Sequence, residues 1–282
     1  MRSRPDSLAT SIRNSRRATL AVIIVALWAG GMTMMFRRNA NRSESERLSE
    51  VALRLQPATF YYTVARDDEQ IGGASSAVDT TENTLVSEEY FVGDYVASKT
   101  VERTSARWQT RLTRGFRLTD LSIDVARPTR PFAINASVEE DTSLFIAPTN
   151  RNGGHPPARY NFVPPLFTPT LAAVAFMLGG PHTIGRAQVM SVFDPTTRLV
   201  TRPELRIRAE SLFTVIDSAA PGPQGVFVGV HRDTVRAWRI EGAPTGVVGW
   251  FDADGRLVAA QAGALSVVRT AFEIAFKNVK AK

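Results

Sequence analysis

From Ala58 to Glu139 apolar and polar residues trade places along most of the chain, and this period of two is what most restricts the fold. Phe60, Tyr62 and Val64 alternate with Thr59, Tyr61 and Thr63. Trp108, Thr110 and Leu112 oppose Arg107, Gln109 and Arg111, and Phe132, Ile134, Ala136 and Val138 alternate with Asn135, Ser137 and Glu139. Successive strand side chains point to opposite faces, so the pattern predicts antiparallel strands with one wet face. Leu85–Val92 and Tyr95–Arg103 read as two strands broken at Gly93-Asp94. A phase slip near Thr119-Asp120 predicts a bulge that bends its strand.

The second half punctuates the pattern. Pro148–Pro169 reads as a long irregular connection, because it holds the run Asn150 to Pro157 and then Pro164-Pro165. An apolar helix follows at Thr168–Leu178, with Pro169 early and Gly179-Gly180-Pro181 as its stop. Strands resume at Val189–Phe193, and Leu205, Ile207, Ala209, Phe213 and Val215 mark another. Val226–Val230, Thr234–Ile240 and Val247–Phe251 follow. Asp252-Ala253-Asp254-Gly255 predicts a hairpin turn. Leu265–Val279 reads as a closing amphipathic helix, with Lys277 and Lys280 near its C-terminus. The expected class is mainly β with flanking helices (α+β): a curved antiparallel sheet or half-barrel.

Ahead of this domain, Ala18–Phe36 is nineteen residues without a charge, closed by Arg16-Arg17 and Arg37-Arg38. A helix of that length spans about 28 Å, close to the hydrocarbon thickness of a bilayer. The apolar run exceeds a signal-peptide core, and Met34 to Arg38 makes a poor cleavage site. Ala29-Gly30-Gly31 keeps a cleaved signal as the alternative. The resulting division is a cytoplasmic basic tail (1–17), a transmembrane helix (18–36), a juxtamembrane stem (37–57) and an exported β-rich domain (58–282). In the stem, Ser43 to Glu46 fits a capping box, with Leu48, Val51, Ala52 and Leu55 at helical spacing. The expected location is the cell inner membrane, single-pass, with the C-terminal domain periplasmic and the bilayer as partner of Ala18 to Phe36.

Charge fits this division. The chain has net charge +7, but residues 1–38 carry seven Arg against one Asp, which leaves +1 on the rest. The basic excess is a membrane collar, so nucleic acid is not an expected partner. The absence of Cys excludes disulfide frameworks, thiolate zinc sites and Cys nucleophiles.

No motif names a reaction. There is no P-loop, no G-x-G-x-x-G and no H-E-x-x-H, and Ser75-Ser76 lacks a nucleophile-elbow frame. His155 and His182 lie in Gly/Pro-rich loops, and His231 is expected at a strand end. No spacing fixes two metal ligands on one element, so neither a metal nor a cofactor is expected. Asp252 to Gly255 opens like a calcium loop, but Gly263 stands where the closing acid belongs. Glu88-Glu89 and Glu139-Glu140-Asp141 are expected on wet faces or turns as solvated charge. Whether the domain is an enzyme stays open, and the reading leans against it.

The aromatic set is more suggestive. Phe60, Tyr62, Trp108, Tyr160, Phe176, Trp238 and Trp250 could line a concave apolar surface or fill a core. Arg236, in phase with Trp238 and Ile240, could supply a polar spot there or turn outward. These eight are the candidate ligand-binding residues; no catalytic residue is assigned.

The order FYYTVAR, the turn IGG, LFTPTLAAVAFML, VFDPTTR, VRAWRIEG, GWFDADGRLVAA and VVRTAFEIA resembles uncharacterised exported bacterial β-rich proteins. Through them it resembles the LolA/LolB-like lipoprotein-carrier half-barrel superfamily. The resemblance covers residues 58–282. It implies a sheet curled around helices with an apolar cavity, used in that superfamily for acyl chains. This chain differs in having a tether and no lipidation Cys. The expected function is a membrane-tethered, non-enzymatic module that binds an apolar or lipid ligand or an envelope partner. The alternatives are an interaction module of envelope assembly and a hydrolase acting on envelope polymers.

Overall fold

The computed structural model describes Met32 and, with gaps, residues 49–277. Residues 1–31, 33–48, 51, 53, 54, 82, 83, 98, 99, 130, 149–155, 196, 243–247 and 278–282 lie outside the described set. The proposed membrane helix is therefore outside it apart from Met32, which is helical. No described helix is long and apolar enough to cross a membrane.

The alternating segments pair in the order the chain supplies them. β1 (Ala58–Arg66) starts in the middle of the sheet. β2 (Glu69–Thr80), β3 (Thr84–Ala97), β4 (Thr100–Thr113) and β5 (Leu118–Ala126) add beside it one after another. β6 (Phe132–Glu139), β7 (Ser143–Ile146) and β8 (Ala158–Asn161) complete that side. The chain then forms β9 (Leu166–Phe167), the helix α1 (Pro169–Leu178), β10 (Ala187–Val189), β11 (Ser191–Asp194) and β12 (Leu199–Thr201). It re-enters the far side at β13 (Glu204–Pro221). From there β14 (Phe227–Glu241), β15 (Val248–Phe251), β16 (Leu257–Ala262) and β17 (Leu265–Thr270) walk back until β17 pairs with β1.

The product is one curved antiparallel sheet of 14 strands, not closed, with β10 and β8 as its edges. A separate sheet of 3 strands, ordered β12-β11-β9, joins β9 and β11 in parallel. The short helix α2 (Phe272–Ala275) ends the described chain. Because the first and last strands are neighbours, both halves of the meander are tied at β1 by long-range pairing.

α1 lies on the inner face of this sheet. Leu171 to Met177 are all buried, so the helix is apolar on every side, as a helix enclosed by its own domain must be. Pro169 sits in its first turn, and Gly179 closes it by donating its N–H to the Ala175 carbonyl. Its C-terminal carbonyls find cationic or polar partners. Arg186 donates to the Phe176 carbonyl and stacks 4.4 Å over the Phe176 ring, while His182 Nε2 lies 3.0 Å from the Met177 carbonyl. The core around α1 includes Leu85, Leu112, Phe116, Phe167, Trp238 and Ile240. Ala52 and Leu55 join it, so the residues just ahead of β1 pack into the same core.

Four expectations are corrected. β3 runs unbroken through Gly93-Asp94, because Gly93 faces Gly72 where two backbones pass closely: a Cβ on Gly93 would lie 2.8 Å from the Gly72 Cα. The Pro148–Pro169 connection contains β8 and β9. Leu265–Thr270 is a strand, not the start of a helix. Its neighbours β1 and β16 supply hydrogen bonds on both edges, which outweighs a 3.6-residue pattern. β14 is one strand, so His231 lies within it rather than at an end; register shifts at Ile216, Ser218 and Ala219 let the long hairpin bend. The expected bulge near Thr119 is present, since Arg111 pairs Asp120 while Leu112 pairs Leu118.

Candidate functional site

Strand register places one row of side chains across the inner face. Phe60 pairs Ser76, Ser76 pairs Glu89, Glu89 pairs Trp108, and Trp108 pairs Ile123. The next row is Tyr62, Ala74, Phe91 and Ala106. Between these rows, α1 and the start of β16 is a cavity of about 230 Å³. Tyr62, Ala74, Ser76, Glu89, Phe91, Ala106 and Trp108 line its sheet side. Thr170 and Val174 face it from α1, Gly255 to Leu257 from the β15–β16 turn, and Val267 from β17.

Beside the cavity lies a buried ion pair. Asp252 accepts from Arg269 at 2.8 Å, and both side chains are nearly enclosed. Asp252 also organises the turn by accepting the backbone N–H groups of Asp254 (3.1 Å) and Arg256 (2.9 Å) through Oδ1. Arg256 donates to the Gln56 carbonyl at 3.2 Å, and the Arg269 guanidinium lies 4.4 Å over the Phe60 ring. Tyr62 stands among these charges. Burial raises its hydroxyl pKa, against the lowering influence of Arg269 and with smaller raising effects from Glu89 and Asp252.

Glu89 is the residue that sequence reasoning misplaced. Glu88 faces outward and pairs with Arg107 at 3.0 Å. Glu89 faces the cavity, where it is enclosed rather than solvated. The cavity leaves it some accessible area, yet the surrounding protein strips most of its water. This desolvation raises its carboxyl pKa, while a hydrogen bond from the Thr170 hydroxyl works the other way. Both phases of Leu85–Val92 carry one Glu, so alternation alone could not choose between them.

The raised pKa sets a pH dependence. Below the ordinary carboxylate value of 4.5 Glu89 is neutral folded or unfolded. As pH rises the unfolded chain ionises first, so stability falls until the folded carboxyl ionises too. Glu89→Gln is expected to remove this loss: urea midpoints should show the variant gaining on the native chain as pH rises from 4.5 through the raised folded value. A constant difference over that range would contradict the assignment.

The eight candidate residues separate. Tyr62 and Trp108 line the cavity, and Phe60 adjoins it under Arg269. Phe176 and Trp238 belong to the core around α1. Tyr160 packs on the second apolar cluster, around Ile134 and Leu144. Trp250 meets Phe213 with ring centroids 5.1 Å apart, at a separate hollow. Arg236 is exposed and lies 3.4 Å from Glu210, so it turns outward instead of marking a pocket.

His155 is outside the described residues. His182 caps α1 and lies 4.6 Å from the Trp238 ring. His231 stands between Asp217 (3.5 Å at Nδ1) and Asp233 (3.9 Å at Nε2), and the ligand atoms of these three lie within 4.8 Å of one another. Such a trio has the chemistry to hold a divalent cation, but it sits on an exposed strand pair, and its two ring nitrogens face different carboxylates. Desolvation and the neighbouring Asp233 raise the Asp217 carboxyl pKa.

No protein-family model matches the chain, and no curated protein does. Two solved structures are similar in fold outline. The first is a beta-barrel-like protein of the domain of unknown function DUF1849 from Brucella abortus. It has TM-score 0.46 and 12% identity, over 77% of this chain and 95% of that one. The second is a DUF1089-family protein from Pseudomonas aeruginosa. It has TM-score 0.38 and 8% identity, over 68% of this chain and 90% of that one. At these TM-scores the likeness carries no argument, and it does not show the lipoprotein-carrier resemblance.

Proposed function

We propose that this chain is a membrane-tethered, extracytoplasmic module that binds a small, mainly apolar ligand in the cavity beneath α1 without reacting with it. The supporting observation is the cavity itself. Its walls are largely Ala74, Phe91, Ala106, Trp108, Val174, Leu257 and Val267, with Tyr62, Ser76, Glu89, Thr170 and Arg256 as polar members of the lining. That is the usual composition of a small-molecule site. At about 230 Å³ it falls below the range of roughly 300–1,000 Å³ common for drug-sized ligands, so the guest is compact. A hydrolase of envelope polymers calls for a second acid or an imidazole near the first. Among the described lining residues Glu89 is the single carboxylate, and there is no His. The tether is proposed from Ala18–Phe36.

The test is binding of a naphthalene-based polarity dye to the purified full chain in lipid discs, with empty discs as control. Ala106→Phe, which fills the cavity, is expected to weaken binding about tenfold, with unchanged circular dichroism, through lost apolar burial worth more than one kcal/mol. No binding by the native chain, or equal binding by the filled variant, would remove this reading.

A further inference from the structure

β13 and β14 outrun their neighbours in the sheet. β10 pairs with β13 at residues 204–206, and β15 pairs with β14 at residues 238–240. Beyond those points, among the described strands, β13 and β14 pair with each other alone, out to Pro221 opposite Phe227. The base of this two-stranded arm is packed: Val215 and Ala237 are buried with Val258, against Phe213, Val235 and Trp250. Farther out nothing is enclosed. No described residue from 216 to 234 is buried, and Val226, Val228 and Val230 are 54%, 46% and 62% exposed. The sequence sets the same stretch apart. Residues 218–230, SAAPGPQGVFVGV, are thirteen in a row without a charge. Grouped apolar side chains that the fold leaves in water mark a contact surface. The backbone here is badly suited to adding a strand. Register shifts between Ile216 and Ser218 and between Ser218 and Ala219 break the ladder, and Pro221 and Pro223 lack an N–H. What the tip offers is side chains.

We infer that this tip docks on the surface of a lipid bilayer, with Val226, Val228 and Val230 at the boundary between headgroups and acyl chains. The inference rests on the tether proposed above from Ala18–Phe36. Residues 37–48 link that run to Ser49, and twelve residues reach at most about 43 Å when fully extended, so the domain stays close to the membrane. A second contact made by a tethered domain is intramolecular in effect, so a weak one suffices. Depth follows from hydrogen bonding. Both edges of the arm carry backbone groups without a neighbouring strand, which the hydrocarbon core cannot satisfy, so the tip stops at the wet interface. The attraction is apolar. The charges that flank the tip, Asp217, Arg232 and Asp233, sum to −1 with His231 neutral and to 0 with it protonated, which gives anionic lipid no advantage.

The chain has no Cys, so a single introduced thiol can carry a nitrobenzoxadiazole fluorophore at one chosen place. Val228→Cys labels the tip, and Val101→Cys, at a side chain 68% exposed on β4, is the control. The labelled full chains are reconstituted in phosphatidylcholine vesicles, some with a nitroxide on the headgroup and some with it deep in the acyl chain. Headgroup nitroxide is expected to quench at least about twice as strongly at position 228 as at position 101, since the interfacial layer is about 5–10 Å deep. Deep nitroxide is expected to quench less. Adding Val226→Asp and Val230→Asp to the Val228→Cys chain is expected to bring its quenching down to that at position 101. Its circular dichroism should not change, because these side chains are exposed. Equal quenching at 228 and 101 in chains that float with the vesicles overturns the inference and leaves the tether standing. So does a shielded fluorophore at 228 that lipid nitroxide does not reach, which would show the tip seated against protein. Quenching at 228 that requires phosphatidylglycerol, or that is stronger from the deep nitroxide, overturns it as well. A chain that does not float with the vesicles overturns the tether itself, and this inference with it.

Discussion

Gly255→Ala is expected to destabilise the domain by about 3 kcal/mol, the combined effect of left-handed backbone strain and overpacking. Gly255 has φ +74°, a conformation that a side chain disfavours. Its space is also taken. A Cβ there would lie 2.4 Å from the Val174 Cα and 2.9 Å from the Ala173 carbonyl oxygen, both backbone atoms of α1. Backbone cannot rotate aside as a side chain can, so the β15–β16 turn or the helix must move. Because the turn and α1 are two walls of the cavity, dye binding should fall with stability. Gly263→Ala isolates the strain: it has φ +58°, but nothing lies within 4 Å of its Cβ. That variant should lose only about 1 kcal/mol. Urea unfolding measures both, and equal losses would mean that contact with α1 contributes nothing.

Asp252→Ala is the second large effect. Removing one member of a buried ion pair leaves the other charge without compensation, which costs about 3–5 kcal/mol. Here Arg269 would lose its carboxylate partner at 2.8 Å, and the turn would lose its acceptor for the Asp254 and Arg256 N–H groups. Asp252→Asn keeps an oxygen for the turn but not the charge, so its loss should fall between native and Ala. The exposed pair Arg117–Asp141, at 2.9 Å, is the comparison: breaking it should cost less than about 1 kcal/mol, because water screens it. Denaturant titration of the variants gives the order. Similar losses for Asp252→Ala and Asp141→Ala would refute the structural importance of the buried pair.

Much of the sheet could be read from residue order. The alternation at Phe60–Val64, Trp108–Leu112 and Phe132–Val138 set strand positions and faces, and the slip near Thr119 marked a bulge that is present. The hairpin turn at Asp252–Gly255 followed from local turn chemistry. Local pattern misled at Gly93, where the glycine serves a close backbone approach. It also misled at Leu265–Thr270, where two neighbouring strands hold a segment of mixed periodicity. The candidate site was legible only in part. Tyr62 and Trp108 were found as aromatics in phase with a buried face. Glu89 was missed, since its outward neighbour Glu88 fits the alternation equally well.

The division has a physical basis. Period-two patterning is a property of adjacent residues, so the sequence by itself determined a β-rich domain with one dry face, along with an apolar run of membrane-spanning length ahead of it. Which segments pair, and which polar side chains end up enclosed, depends on contacts between residues far apart in the chain. Arg269 meets Tyr62 and Asp252 because β17 returns to β1. Gly255 meets Val174 because the turn folds onto α1. Glu89 becomes a desolvated acid because α1 covers its side of the sheet, a change of surroundings that no local pattern records.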